Sequence, residues 1–240
     1  MPASAKKRIT PRPPLALAAE VVETCRRMNA MGLNQGRSGN ISLRIDENRF
    51  LLTPSGMAYD TLDPKELAVM DFSGRWWGPR RPSVEWRFHR DILAARPEAN
   101  VVLHTHSVFA TAFACQRQDM PAFHYMIAVA GGDSIRCADY ATFGTQDLSD
   151  NALKALEGRK ACLLANHGMI CLGVSLEKAL GLAVEVETLA AMYARTKVFG
   201  EPVVLEAREM KKVAELFKGY GEANGEGDGE LVQVGAAWEG

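Results

Sequence analysis

The chain has 240 residues, of which 47% are hydrophobic and 24% charged, and a formal net charge of −1. That length suits one large domain that buries its apolar surface without covalent staples, and the balanced charge argues against a nucleic-acid or anionic-membrane partner. The five cysteines, Cys25, Cys115, Cys137, Cys162 and Cys171, form no C-x-x-C pair, which reads as free thiols in a reducing compartment rather than a disulfide framework.

The opening "MPASAKKRITPRPPLALAAEVVETC" is basic, but Pro11, Pro13 and Pro14 interrupt it and Glu20 cuts the apolar run short. It does not read as a secretory leader. No apolar stretch approaches a membrane span, so a cytoplasmic protein is expected. From Leu15 to Met31 the spacing of Leu15, Ala18, Val21, Val22, Cys25 and Met28 predicts an amphipathic helix ended by Gly32. "NQGRSGN" is a polar turn, and "ISLRI", "NRFLL" and "LAVMDF" read as strands, the second breaking at Pro54 and Gly56.

A helix is predicted next, with Ser83 as its N-cap and Glu85 in its first turn, where the dipole favours a carboxylate. It runs to Arg96 and is stopped by Pro97. "ALEGRKACLLANHGMICLG" reads as a buried strand pair around a turn. "SLEKALGLAVEVETLAAMYART" reads as a long, well-buried helix, apolar on most sides. Several strand pairs look like hairpins, so the expected fold is α/β with helices on a mixed or mostly antiparallel sheet. A short extension (1–14), one domain (15–221) and a Gly- and Glu-rich tail (222–240) complete the expected organisation.

"ANVVLHTHSVFATAF" carries His104 and His106, two of only five histidines, at the end of an apolar run. Side chains two apart on a strand share a face, about 7 Å apart at Cα. Two imidazoles so placed can converge on one ion at about 2.0–2.1 Å each. His167, in "CLLANHGMICLG", ends a second apolar run beside Gly168, whose backbone freedom would let it project. Three histidines with one open position are a common catalytic zinc set. On spacing alone, a metal clamp and unrelated polar turn residues stand near even. His89, four residues after Glu85, fits an orienting hydrogen-bond partner better than a ligand, and His124 reads as structural.

Glu85 lies between Val84 and Trp86, with Phe88 one turn on. It is either a helix-dipole residue or, desolvated by those neighbours, a general base. Three polar loops, "GRSGN", "TPSG" and "RRPS", offer hydroxyls, glycines and arginine. Each is an ordinary turn by itself; together they could cradle an anion. No nucleotide-binding glycine motif is present.

The blocks "GLNQGRSGNISLR", "LLTPSGMAYDTL", "PSVEWRFHRDILAARPEANVVLHTH", "PAFHYMIAVAGGDSIRCADYATFGT", "LLANHGMICLGVSLEKALGLAVEVE" and "FKGYG" occur in that order from about Val21 to Gly221. Together they resemble the class II aldolase/adducin family. The resemblance implies a three-layer α/β/α fold around a mostly antiparallel sheet, assembled as a homotetramer with sites between subunits. It implies cleavage of a short ketose 1-phosphate of the L-fuculose 1-phosphate kind, through an enediolate, to dihydroxyacetone phosphate and an aldehyde. His104, His106 and His167 would bind zinc or another divalent transition metal. Glu85 would be the base and, before substrate arrives, also a ligand. Gly39, Asn40, Ser55, Gly56 and Ser83 would hold the phosphate. Tyr125 of a neighbouring subunit would be the acid, and Phe143, Phe217 and Tyr220 would line the aldehyde pocket.

Two positions depart from the family pattern. Arg37 stands where a small hydroxyl residue is usual, and Val84 replaces a second serine, so Arg37 is expected to supply a charged contact instead, to a phosphate or, as the alternative, to a carboxylate. A decarboxylase, epimerase or dehydratase on the same scaffold, working through the same enolate chemistry, remains open as the alternative reading. A non-catalytic adducin-like module is disfavoured by the complete histidine and glutamate set.

Overall fold

A computed structural model describes residues 11–217. In chain order the elements are α1 (Leu15–Ala30), β1 (Asn40–Arg44), β2 (Arg49–Leu52), β3 (Ala68–Asp71), β4 (Trp76–Trp77), α2 (Trp86–Ala95), β5 (Val101–Thr105) and α3 (Val108–Ala114). Then follow β6 (Met120–Pro121), a 3-10 segment (Tyr125–Ala130), β7 (Ser134–Ile135), β8 (Cys137–Ala138), α4 (Gln146–Ala155), β9 (Ala161–Leu164), β10 (Gly168–Gly173), α5 (Leu176–Thr196) and α6 (Ala207–Phe217). Eight strands form one sheet in the order β4-β3-β2-β1-β5-β10-β9-β8, and β6 pairs with β7 apart from it. Every neighbour in the large sheet is antiparallel except β8 with β9.

Alternation along the strands makes two cores from one sheet. On β5, Val101 and Leu103 join the core shared with α1, α3 and α5, whereas Val102 joins the one built with α2 and α4. The same parity runs through β10, with Met169 and Cys171 on the first side and Ile170 and Leu172 on the second. Both faces are covered by helices, giving the three-layer α/β/α arrangement around a mostly antiparallel sheet.

Two helices depart from their predicted form. Ser83 is not the N-cap of α2: the helix begins at Trp86 and Glu85 occupies the cap position. Residues before it are held extended against β2, by the Pro54–Pro82 bridge and by Ser83 N–H donating to the Thr53 carbonyl at 3.0 Å. The Ser83 carbonyl and Oγ instead accept from Trp86 N–H (3.1 Å) and Glu85 N–H (3.3 Å), a tight turn before the helix. Glu85 makes no side-chain cap, a loss of about 1 kcal/mol. Burial of Phe88, Ile92 and Leu93, at about 1.5–3 kcal/mol each, outweighs it.

The long helix α5 is amphipathic rather than apolar on most sides. Leu176, Ala179, Leu180, Ala183, Val186, Leu189 and Ala190 are buried, while Glu177, Lys178, Gly181 and Thr188 face outward. It also reaches the neighbouring helix: the Glu187 carboxylate accepts from Phe109 and Ala110 N–H at 2.9 and 2.8 Å. These are orphan donors of the first turn of α3, which has no side-chain N-cap of its own. Because α3 follows His106 directly, this contact anchors the chain just past the second histidine. Among the described residues no helix is long and apolar enough to cross a membrane, and all five cysteines are free, three of them buried.

Candidate metal centre and substrate cleft

β5 lies between β1 and β10, with His104 opposite Asn40 on one side and Ile170 on the other. Cross-strand partners share a face, so Asn40, Ser42, Val102 and His104 all point toward α2. His106 continues that face just past the strand. His167 closes the turn between β9 and β10, its N–H bonded to the Leu164 carbonyl at 3.0 Å.

The three imidazoles meet. Their candidate ligand atoms lie within 4.8 Å of one another, and the ring planes cross at 70–74° with centroids 4.8–4.9 Å apart. Edge-on rings aim nitrogen at a common point rather than stacking. His104 Nδ1–H donates to the Met169 carbonyl at 2.9 Å, which leaves Nε2 with its lone pair turned inward.

Glu85 completes the group: Oε2 is 3.4 Å from His104 Nε2, and Oε1 is 3.2 Å from His167 Nε2. These contacts are not ion pairs at neutral pH. Burial, with His106 beside it, holds His104 down to about 3. Burial and the neighbouring His104 hold His167 down to about 4, and burial lowers His106 as well. The cluster therefore presents neutral nitrogens. Glu85 is 5% exposed, and its Oε1 is buried without a hydrogen-bond donor, a costly arrangement unless a cation or substrate proton satisfies it. Neutral imidazoles beside an unpartnered carboxylate oxygen fit a bound divalent metal.

Close backbone approach shapes both ends of the site. Gly168 was expected to supply backbone freedom beside His167, but it does not have a left-handed backbone. Asn166 takes that conformation, with φ 54°. Gly168 is needed for space: a Cβ there would lie 2.5 Å from the Thr105 carbonyl oxygen, 2.9 Å from the His106 ring and 3.2 Å from the His104 ring. Gly39 is constrained similarly, since a Cβ would meet Asn34 Oδ1 at 2.8 Å and the His104 carbonyl at 2.9 Å. Tyr59, fully buried, donates its hydroxyl to the Gly39 carbonyl and pins that loop from behind.

A cleft of about 380 Å³ opens over the cluster. It brings together Arg37, Gly39, Asn40, Ser55, Gly56, Ser83, Glu85, His106, His167 and Phe143. The three polar loops thus face one cavity, and Arg37 Nη1 donates to the Gly56 carbonyl at 3.5 Å across two of them. Ser83 lies at the cleft although it does not start the helix. The side chain of Asn40 is turned away from the loops, its Nδ2 donating to Glu85 Oε2 at 2.8 Å. His89 is an orienting partner as expected, but of Asn40 rather than Glu85. His124 accepts from Met126 N–H and caps the 3-10 segment.

Tyr125 and Phe217 are not in this chain's cleft. They stack on one another with centroids 6.3 Å apart and planes 6° from parallel, Tyr125 being half exposed. Tyr220 lies outside the described residues. The cleft also contains Ser38, Tyr140, Ala141 and Asn166, which sequence reasoning did not single out. Asn166 had a signal, an asparagine between a strand and a histidine, since asparagine is enriched in left-handed backbone. Its side-chain oxygen accepts from Arg117 Nε at 2.6 Å, and the Arg117 guanidinium covers the Tyr140 ring at 5.5 Å.

Residues 19–194 match the family described as Class II Aldolase and Adducin N-terminal domain. The chain is 51% identical over 208 residues to the 5-methylthioribulose-1-phosphate/5-deoxyribulose-1-phosphate aldolase of Rhodospirillum rubrum, covering 87% of this chain and 94% of that one. It is 47% identical over 206 residues to the L-fuculose phosphate aldolase of Escherichia coli K12, covering 85% and 95% respectively. A solved structure of an L-fuculose 1-phosphate aldolase superposes with a TM-score of 0.82 at 40% identity, over 85% of this chain and 96% of that one.

Replacing Gly168 with alanine pushes β10 away from the His104–His106 segment, so metal affinity should fall at least ~10-fold with the fold retained. Metal titration followed by calorimetry checks this; unchanged affinity would mean that the close approach is not what shapes the site.

Proposed function

Because this chain belongs to the class II aldolase and adducin family and is an aldolase-type lyase, we propose that it cleaves a short ketose 1-phosphate to dihydroxyacetone phosphate and an aldehyde. The observation that carries this reading is the unpartnered Glu85 Oε1, buried among three neutral imidazoles at the floor of a cleft walled by polar loops. His104, His106 and His167 would hold zinc, whose preferred ligands they are. When bound, the ion supplies Lewis acidity toward the substrate carbonyl, which eases loss of the neighbouring proton.

The chain's own groups do the rest. Arg37, the Ser55 and Ser83 hydroxyls and the loops at Gly39 and Gly56 hold the phosphate, and so fix the distance from that group to Glu85. In the condensation direction Glu85 Oε1 takes a proton from the hydroxymethylene carbon, while Oε2 stays bonded to Asn40. The resulting enediolate adds to the aldehyde. Tyr125 of a neighbouring copy donates the proton that the new alkoxide needs, and Phe217 borders the aldehyde from that side. The motive for placing this in a homotetramer is that Tyr125 and Phe217 stack outside their own chain's cleft.

Val84, Tyr140, Ala141 and Phe143 give the cleft an apolar wall. A methyl or methylthio end would cover apolar surface there, which a polyol tail would do less well. That favours 5-deoxyribulose 1-phosphate or 5-methylthioribulose 1-phosphate over longer hydroxylated sugars. Incubation of metal-replete protein with these two and with L-fuculose 1-phosphate, followed by mass analysis, tests the reading. Dihydroxyacetone phosphate is expected; carbon dioxide or an isomer would replace it with another reaction.

Glu85→Gln should retain metal yet slow solvent-deuterium exchange into dihydroxyacetone phosphate at least ~100-fold; near-normal exchange removes Glu85 as the base. Arg37→Ala should raise KM for the phosphorylated ketose about 10-fold or more with kcat little changed, as expected for lost uniform binding. An unchanged KM would show that the guanidinium does not touch the anion. Co-expression of Glu85→Gln with Tyr125→Phe chains should restore part of the activity that either variant lacks, and no recovery would exclude a shared site.

A further inference from the structure

Glu85 is reached from the cleft at one oxygen and from the protein interior at the other. Its Oε2 accepts from Asn40 Nδ2 at 2.8 Å. Asn40 Oδ1 lies 2.5 Å from His89 Nε2, and His89 Nδ1 lies 2.7 Å from Ser42 Oγ. With the His89 ring neutral, only one placement of hydrogens satisfies all three contacts. A carboxylate accepts, so Asn40 must turn its NH2 toward Glu85 and its carbonyl oxygen toward His89. That oxygen also accepts, so His89 carries its hydrogen on Nε2, and Ser42 must donate to the bare Nδ1. Reversing any link sets acceptor against acceptor or donor against donor.

The chain is closed to water. Ser42 and His89 are 0% exposed, Asn40 4% and Glu85 5%. Burial, with His104 nearby, keeps His89 well below its ordinary range, in line with a neutral ring. The fold supplies the spacing twice over. Asn40 and Ser42 stand two apart on one face of β1, and Glu85 and His89 stand four apart at the start of α2. A ladder between β1 and α2 therefore meets both residues of each pair.

We propose that Ser42 and His89 form a positioning relay that orients Asn40, and through it Glu85, so that Oε1 alone faces the reacting carbon. His89 touches neither substrate nor reacting atoms; it acts by holding the amide that holds the base. Without it the Asn40 amide is free to rotate, and Glu85 Oε2 loses the fixed donor that sets the orientation of the carboxylate. The inference rests on Glu85 being the proton-abstracting group.

The test compares His89→Leu, His89→Gln, His89→Asn and Ser42→Ala in the metal-loaded protein. His89→Leu should lower kcat and deuterium exchange by about 10–100-fold, the usual cost of losing such an outer partner, with KM within about twofold and bound metal unchanged. His89→Gln should recover most of that loss, because its amide N–H reaches the place of Nε2–H. His89→Asn, which reaches only the Ser42 side, should not, and Ser42→Ala should show a smaller decrease. Nitrogen-15 spectra of the wild-type protein should show His89 as the neutral Nε2–H tautomer, which depends on no substrate. An Nδ1–H tautomer, a full-rate His89→Leu, or equal defects in the Gln, Asn and Leu variants would overturn the relay. Should His89→Leu fail to fold, the Gln-to-Asn contrast decides. Absence of exchange in the wild type would sink the aldolase reading instead, leaving the tautomer to judge the hydrogen-bond chain by itself.

Discussion

The antiparallel pairing of β5 with β1 on one side and β10 on the other is the constraint on which the site depends. It sets Asn40, His104 and Ile170 across three adjacent strands, and it carries the Met169 carbonyl to within 2.9 Å of His104 Nδ1. A one-residue slip of β5 would send His104 into the α1, α3 and α5 core and put Leu103 in its place. Registry is protected because Val101, Leu103 and Val102 are each fully buried on opposite faces. The same apolar alternation that stabilises the sheet therefore aims the candidate metal ligands.

Several local conformations at this centre run against intrinsic preference. Glu85 forgoes capping its own helix, and Asn166 and Arg117 hold left-handed backbone. Glu85 Oε1 is buried with no donor. Each costs on the order of 1–3 kcal/mol. The two cores around them absorb that cost. Burial of large side chains such as Phe50, Phe88, Ile92 and Met70, at about 1.5–3 kcal/mol each, is of comparable size. Strain persists where the surrounding packing leaves the chain no alternative.

The cleft divides into a rigid floor and an exposed rim. Glu85, Asn40, His104 and His89 are buried, the first two and His89 joined by hydrogen bonds, whereas Arg37, Ser55, Gly56, Val84 and Phe143 are exposed. The buried groups stand on strands and a helix start, which hold them in place, whereas the exposed rim groups stand mostly on loops, which can adapt.

Helix and strand positions were legible in the chain because apolar periodicity reports burial directly: α1, β1 to β3, α2, the β9–β10 hairpin and α5 all lie where their patterns put them. The candidate ligands were legible as residue types at strand ends, and their grouping followed from the resemblance. Other features depended on contacts between segments far apart in sequence. Ser83 does not cap α2 because Thr53 holds its backbone extended. Gly168 serves close packing against Thr105 rather than backbone freedom. Asn40 binds Glu85 because His89, nearly fifty residues away, takes its other end. Sequence by itself determined which residues could do chemistry and which faces they occupy, since those follow from side-chain type and local period. Tertiary structure alone decided which atoms meet and which way each hydrogen points, because hydrogen-bond direction depends on every partner being in place at once.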